Sequence, residues 1–322
     1  MAGEFALIDK YFARPTPSAI LGPGDDCALL QPSPGMQLAV TTDMLVAGTH
    51  FLPDTDPKNL GWKALAVNLS DLAAMGAVPR WVTLAGAMPA ADETWIASFA
   101  EGFFACAREY GVDVVGGDTT KGPLNLCITA LGEIEPGQAL RRDGAQIGHQ
   151  IWVSGRPGLA SLGLAQLQGR IELPAPWQRL CIGALEKPRP RVALGRALRG
   201  IASAAIDVSD GLLADLGHIA ERSGCAVAVR LVQLPHLPKG DNYDAVLRKL
   251  ALECQLAGGD DYELCFTAPA EQHVAIGRIA ADLELPLWCI GEMTDGPAGE
   301  VTVFDPDDKP VEFERKGFDH FS

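Results

Sequence analysis

Between residues 64 and 77 the chain reads Ala-Leu-Ala-Val-Asn-Leu-Ser-Asp-Leu-Ala-Ala-Met-Gly-Ala, and this stretch limits what the fold can be. A helix this apolar belongs in a core and has to be covered by other elements. Gly76 is a C-terminal stop signal, and Pro79 prevents the helix from continuing. Asp71 does not suit such a setting, because a buried carboxylate is costly unless it is paired, hydrogen-bonded or bound to a metal. Asn68 and Asp71, three apart, share a helix face and can point into one site. The segment alone admits a second reading, in which Asp71 caps a helix that starts at Leu72.

The rest of the chain alternates strand-like and helix-like segments, which predicts two α/β or α+β domains. In the first half an amphipathic helix is expected over 3–14. A turn at Gly22–Asp26 then leads into a strand at Cys27–Leu30, with one of Asp25 and Asp26 facing a site. A β-branched run follows over Leu38–Asp43, the apolar helix over Leu60–Gly76, and a strand over Trp81–Met88. A long helix over Glu93–Tyr110 precedes a strand over Val112–Thr120 that breaks at Gly116-Gly117, and another strand covers Leu124–Glu133. The polar connection Gln138–Gly148 is read as the boundary between domains at 1–137 and 148–322. In the second half helices are expected near 159–168, 177–186, 191–199, 213–222, 241–250 and 271–283. The strands lie between them, and 255–262 reads as a loop.

With 322 residues, 48% hydrophobic and 21% charged, this is an ordinary globular composition. A net charge of −15 with no basic block argues against free nucleic acid as a partner. Neither a secretion signal nor a run of membrane-spanning length is present, and the eight cysteines are scattered without a C-x-x-C pair. They read as reduced thiols of a cytoplasmic protein.

One pattern recurs: Gly24-Asp25-Asp26, Thr42-Asp43, Ser70-Asp71, Gly117-Asp118-Thr119, Asp207-Val-Ser-Asp210 and Gly259-Asp260-Asp261. Any one of these is ordinary turn or cap chemistry. Together they place carboxylates at the ends of elements with almost no Lys or Arg beside them. Converging carboxylates repel unless a divalent ion lies between them. An all-oxygen donor set suits Mg²⁺ or Mn²⁺ rather than zinc or copper, and phosphates commonly complete the shell of magnesium held by a few carboxylates. The G-x-x-x-x-G-K-[ST] loop, H-R-D, D-F-G, G-x-S-x-G and H-E-x-x-H motifs are absent. A bound nucleotide would therefore be held by metal bridges and Gly-rich turns. His50, close after Asp43, reads equally as a loop histidine or a site residue.

Taken in order, Gly3-Glu-Phe, Gly24-Asp-Asp-Cys-Ala-Leu, Thr42-Asp-x-Leu-Val-Ala-Gly-x-His-Phe51, Lys63 to Ala77, Gly116-Gly-Asp-Thr-Thr120, Asp207-x-Ser-Asp-Gly-Leu212, Gly258-Gly-x-Asp-Tyr-Glu-Leu264 and the Lys316-Gly-Phe-Asp-His-Phe tail resemble the thiamine-monophosphate kinase family. That family lies in a superfamily with aminoimidazole ribonucleotide synthetase, selenophosphate synthetase and a hydrogenase-maturation protein. The resemblance implies an α+β fold of two α/β-type domains: an N-terminal mixed sheet with helices on one face, and a C-terminal α/β domain. It implies ATP-dependent phosphorylation of thiamine monophosphate to thiamine diphosphate by direct in-line transfer, several Mg²⁺ ions, and a homodimer. By resemblance Asp26, Thr41, Thr42, Asp43, Asp71, Asp118, Asp207 and Asp210 fall on metal positions, with Asp71, Asp118 and Asp210 central to catalysis. Gly117, Asp118, Arg142, Ser209 and Tyr110 fall on ATP positions, and His50, Asp260 and Phe318 on substrate positions. Two residues depart from the family pattern: Asp260 stands where Glu is common, and Phe318 where Trp or Tyr is common. Other readings are a different ATP-using synthetase of the superfamily, a nucleotide-sensing protein without turnover, and a metal-dependent phosphatase.

Overall fold

The computed structural model describes residues 4–237, 245–313 and 317–318. It has two compact units, Met1–Leu72 with Ala77–Gly137, and Ala73–Gly76 with Gln138–Ser322. Expectations for Gly3, for residues 241–244 and for Lys316, Asp319, His320 and Phe321 lie outside the described residues.

In the first unit, α1 (Glu4–Leu7) widens into a π-helical turn over Ile8–Phe12. Ala13 is already extended, so the helix stops short of 14, the residue before Pro15. No strand forms at Cys27–Leu30. Leu21 and Leu29 make one isolated antiparallel bridge, and the glycine-rich turn between them leaves Asp25 and Asp26 exposed. Then come β1 (Gln37–Val46), α2 (Pro57–Ala74), β2 (Val78–Met88), α3 (Glu93–Tyr110), β3 (Asp113–Lys121) and β4 (Asn125–Ile134).

The four strands are ordered β1-β4-β2-β3. Only β2 and β3 are parallel, and they are joined through α3. The double glycine does not break β3. It shifts the register between Val82 and Thr83, and the strand runs on through Asp118 to Lys121.

α2 begins earlier than the apolar run suggests. Pro57 suits the first helical position, and the Asp56 carboxylate accepts the Asn59 amide at 3.0 Å. Asp71 therefore lies inside the helix and does not cap it. From Leu60 to Ala74 every residue is buried except Asp71, which is partly exposed. α2 and α3 cross at glycines: a Cβ on Gly61 would lie 2.1 Å from the Phe99 carbonyl oxygen, and one on Gly102 1.8 Å from that of Lys58. Phe99 and Phe103 of α3, with Trp81 of β2 and Ile128 of β4, are among the fully buried side chains of this unit.

The second unit carries β5 (Gln150–Ser154), α4 (Leu159–Leu167), α5 (Ala175–Glu186), α6 (Val192–Ala197), β6 (Ala204–Val208), α7 (Leu212–Ser223), β7 (Ala226–Arg230), α8 (Ala245–Ala257), β8 (Glu263–Ala268), α9 (His273–Asp282), β9 (Leu287–Thr294), β10 (Val301–Phe304) and β11 (Pro310–Val311). The sheet order is β11-β10-β7-β9-β5-β8-β6, with β10 and β7 its parallel pair. Alternate residues serve two cores. Ile151, Val153, Ile206 and Val208 pack with Leu212, Leu216 and Ile219 of α7. Trp152, Ala205, Leu264 and Phe266 pack with Leu194, Leu198 and Ile276, and with Ala73 and Ala74. Covered on both faces, these strands read as apolar runs. α8 reaches Ala257, so the segment expected to be a loop from 255 begins as helix. Among the described residues, no helix is long and apolar enough to cross a membrane.

Candidate active site

The candidate residues fall on both units. In the first, β1 and α2 bring Thr41 against Asp71, where the threonine hydroxyl donates to the carboxylate Oδ2. The Asp43 amide donates to Asn68 Oδ1 at 3.0 Å, and Asn68 Nδ2 donates back to the Ala64 carbonyl at 3.2 Å. Asn68 thus ties the strand that carries Thr41 and Asp43 to the helix that carries Asp71. The two residues on one helix face both serve this junction, as their spacing predicts.

Thr42 points the other way. It is exposed and its hydroxyl pairs with that of Thr129 at 2.9 Å. Past the end of β1, His50 Nδ1 accepts the Val46 amide at 3.0 Å, which assigns the ring proton to Nε2. Asp118 is exposed on β3, opposite Ala85. Gly117, just before it, is opposite Leu84, and its missing Cβ would lie 1.9 Å from the Leu84 oxygen. Tyr110 ends α3 with its ring edge-on to Trp62, centroids 6.3 Å apart.

In the second unit three segments converge. β6 ends in the Asp207–Gly211 loop. Asp207 is buried in the strand, and Ser209 and Asp210 are partly exposed. The Asp260 amide donates to the Ser209 carbonyl and the Tyr262 amide to the Val208 carbonyl, both at 2.8 Å. The Phe318 amide donates to the Asp210 carbonyl at 2.9 Å. Gly317 lies close against that carbonyl too, where a Cβ would be 3.1 Å away. So Ser209 and Asp210 on one segment, Asp260 on a second and Phe318 on a third are linked through backbone bonds, next to Asp207 at the end of β6. Arg142 is exposed in the connection before β5, where its carbonyl accepts the Ser223 hydroxyl at 3.0 Å. Its neighbour Arg141 is engaged with Asp143.

Two buried acids outside the expected set build this half. Asp215 Oδ2 accepts the amides of Ser209, Asp210 and Gly211, each at 3.1 Å, and so holds the loop. Burial, with Asp210 beside it, pushes the Asp215 carboxyl up to about 7 against the pull of those donors. Asp261 accepts the Gly158 amide at 2.5 Å and the Ala160 amide at 3.1 Å, and its burial also raises its pKa. The Gly155–Gly158 turn at the start of α4 is thus closed by the protein's own carboxylate. Glu263, two residues on, accepts from the Ser154 hydroxyl and from Nε and Nη2 of Arg191. An acid in the first turn of a helix that follows Asp-Gly was the available sequence signal for Asp215. Asp261 had none beyond its neighbour.

Among the described residues, no three His, Cys, Asp or Glu side chains form a group that could hold a metal ion. The acidic residues are instead distributed over β1, α2, β3, β6 and the turns at 24–26 and 259–261.

The first unit matches the family model described as AIR synthase related protein, N-terminal domain, over residues 24–134, and the second matches the C-terminal domain model over residues 146–304. Two helix-backed mixed sheets with acidic turns at their ends are thus the architecture of AIR synthase-related proteins. The thiamine-monophosphate kinase of Salmonella typhimurium is 47% identical, over 99% of this chain and 98% of its own length. The crystal structure of thiamine-monophosphate kinase from Stenotrophomonas maltophilia has a TM-score of 0.86 and 50% identity, covering 96% of this chain and 98% of that one. AaThiL complexed with AMPPCP and TMP has a TM-score of 0.75 and 31% identity, covering 99% and 97%. The chain belongs to the thiamine-monophosphate kinase family.

Proposed function

We propose that the chain transfers the terminal phosphoryl group of ATP to the phosphate of thiamine monophosphate, giving thiamine diphosphate and ADP. Full-length similarity to thiamine-monophosphate kinases supports this, as does the relative complexed with AMPPCP and TMP. The observation that carries it is the convergence of the 207–211 loop, the 258–262 loop and Phe318. It puts candidate ATP, metal and acceptor residues on shared backbone hydrogen bonds.

Phosphoryl transfer needs positioning and charge neutralisation more than covalent help. The acceptor is already an ionised phosphate oxygen at neutral pH, so direct in-line transfer needs no strong base. Asp26, Thr41, Asp43, Asp71, Asp118, Asp207 and Asp210 are the residues that would hold Mg²⁺, an oxygen-only set that fits this ion, while the Thr42 hydroxyl faces Thr129 on the other side of β1. Bound there, Mg²⁺ neutralises the two polyanions that must meet. Gly117, Arg142, Ser209 and Tyr110 take the nucleotide. His50, Asp260 and Phe318 take the acceptor, whose cationic ring suits a carboxylate and a π-face.

The same reading makes the enzyme a cytoplasmic homodimer. The outer face of the first sheet exposes Leu38, Val40 and Met44, and a second copy is the occupant proposed for it. Incubation with Mg-ATP and thiamine monophosphate, followed by product identification, tests the reaction. Thiamine diphosphate with stoichiometric ADP is expected; free thiamine, or no turnover, refutes it.

A further inference from the structure

Asp260 and Tyr262 are not glycine, yet both have left-handed backbone, with φ of 73° and 52°. For a bulky residue such as tyrosine this is an unfavourable conformation that persists only when its surroundings impose it. Here the surroundings do so from both sides. The Asp260 and Tyr262 amides are bonded to the Ser209 and Val208 carbonyls at 2.8 Å. Asp261, between them, is fixed by the Gly158 and Ala160 amides, and the Ser161 hydroxyl donates to the Gly259 carbonyl at 3.2 Å.

This clamped turn brings the Tyr262 hydroxyl back over the chain to Asp260 Oδ1, 3.1 Å away and partly buried. A residue with ordinary φ at position 262 would carry its side chain elsewhere. Glycine would meet the backbone requirement without strain, but it has no hydroxyl to offer.

From this we infer that Tyr262 is a positioning residue for the thiamine end of the acceptor: its phenol fixes the rotamer of Asp260, so that the carboxylate meets the cationic ring already oriented. The inference rests on the proposed reaction and on Asp260 as an acceptor contact. Aspartate is one methylene shorter than the glutamate common at this position, so its reach depends more on how it is held. The strain at 260 and 262 is then the structural cost of a preorganised contact.

Four forms of the full-length protein test this: wild type, Tyr262→Phe, Asp260→Ala and the double variant. For each, KM for thiamine monophosphate, KM for Mg-ATP, kcat and Tm are measured. Tyr262→Phe deletes only the hydroxyl, so Tm should stay within the error of the wild type. KM for thiamine monophosphate should rise about tenfold, the usual scale for one hydrogen bond to a charged group, while KM for Mg-ATP stays within twofold. In the Asp260→Ala background the same substitution should change nothing further. An unchanged KM for thiamine monophosphate in Tyr262→Phe, equal rises for both substrates, or an undiminished effect without Asp260 each overturn the inference. If Asp260→Ala itself leaves KM for thiamine monophosphate untouched, the acceptor contact falls, and the role of Tyr262 falls with it. A wild type that makes no thiamine diphosphate marks failure of the parent reading instead.

Discussion

Gly117→Ala gives a sharp test of how β3 presents Asp118. The added Cβ would lie 1.9 Å from the Leu84 carbonyl oxygen, where real Cβ atoms essentially never come within 3.0 Å. The obstacle is backbone, so β2 and β3 must separate by about 1.1 Å at this point, beside the Asp118–Ala85 pair. Overpacking and an unfavourable positive φ together cost about 2–5 kcal/mol. For a protein of this size that lowers Tm by on the order of 10 °C without abolishing folding. A shift near 1 Å in a positioned group costs about 100-fold in rate, so kcat should fall by that order even below the unfolding transition. Gly116→Ala is the internal control. Nothing lies within 4 Å of its Cβ position, and its φ is not positive, so stability and rate should stay near wild type. Melting curves and steady-state kinetics on the two variants, side by side, decide the matter. Wild-type kcat and Tm in Gly117→Ala, or equal damage from both glycines, would refute the close-approach argument.

Two further outcomes are expected. Asp71→Asn keeps an oxygen for the Thr41 hydroxyl but loses the charge, so Tm should hold while thiamine diphosphate formation drops at least about 100-fold; near-normal turnover would remove Asp71 from the machinery. Burial pushes the thiols of Cys181 and Cys254 up to about 12 from an ordinary 9.0. A raised thiol favours the folded state below pH 9, and that contribution is lost as pH rises from 9 towards 12. Since the thiolate is the reactive form, iodoacetamide at pH 8 should label exposed Cys27 and spare both buried cysteines until denaturant is added. Peptide mapping that finds Cys181 or Cys254 labelled as fast as Cys27 in the folded protein would contradict this.

Much of the first unit was legible because burial leaves a composition signal. The apolar run through Asp71 reads directly as a core helix, and the long helix over Glu93–Tyr110 ends where Gly111 takes a left-handed cap. What local pattern could not settle was whether Asp71 starts a helix or interrupts one. That depended on Asp56 and Pro57, a full four turns upstream. The Cys27–Leu30 strand failed for a different reason. Its residues have strand-like character, but a single bridge to Leu21 is their sheet-type pairing, and pairing is a tertiary property.

In the site, the Gly-Asp and Ser-Asp turns announced themselves, because they combine an acid with a backbone free to turn. The acids that hold those turns did not. Asp215 and Asp261 act through main-chain amides distant in sequence or hidden in a loop, and an amide carries no side-chain signature. The left-handed Tyr262 was equally unreadable, since its sequence neighbours include no glycine on either side.

The burial of α2 from Leu60 to Ala74 bears on how this sequence can drift. Most helices have a solvent side on which mutations accumulate harmlessly, so that lineages diverge there first. This one has no such side over those four turns, and Lys63, Asn68 and Ser70 within it are as hidden as its leucines. Every position is then under selection for shape or for polarity, and a neutral substitution has almost nowhere to land. In a library of random variants, the Leu60–Ala74 part of α2 should appear as an unbroken band of intolerance, with Asp71 indistinguishable by tolerance alone from the residues around it.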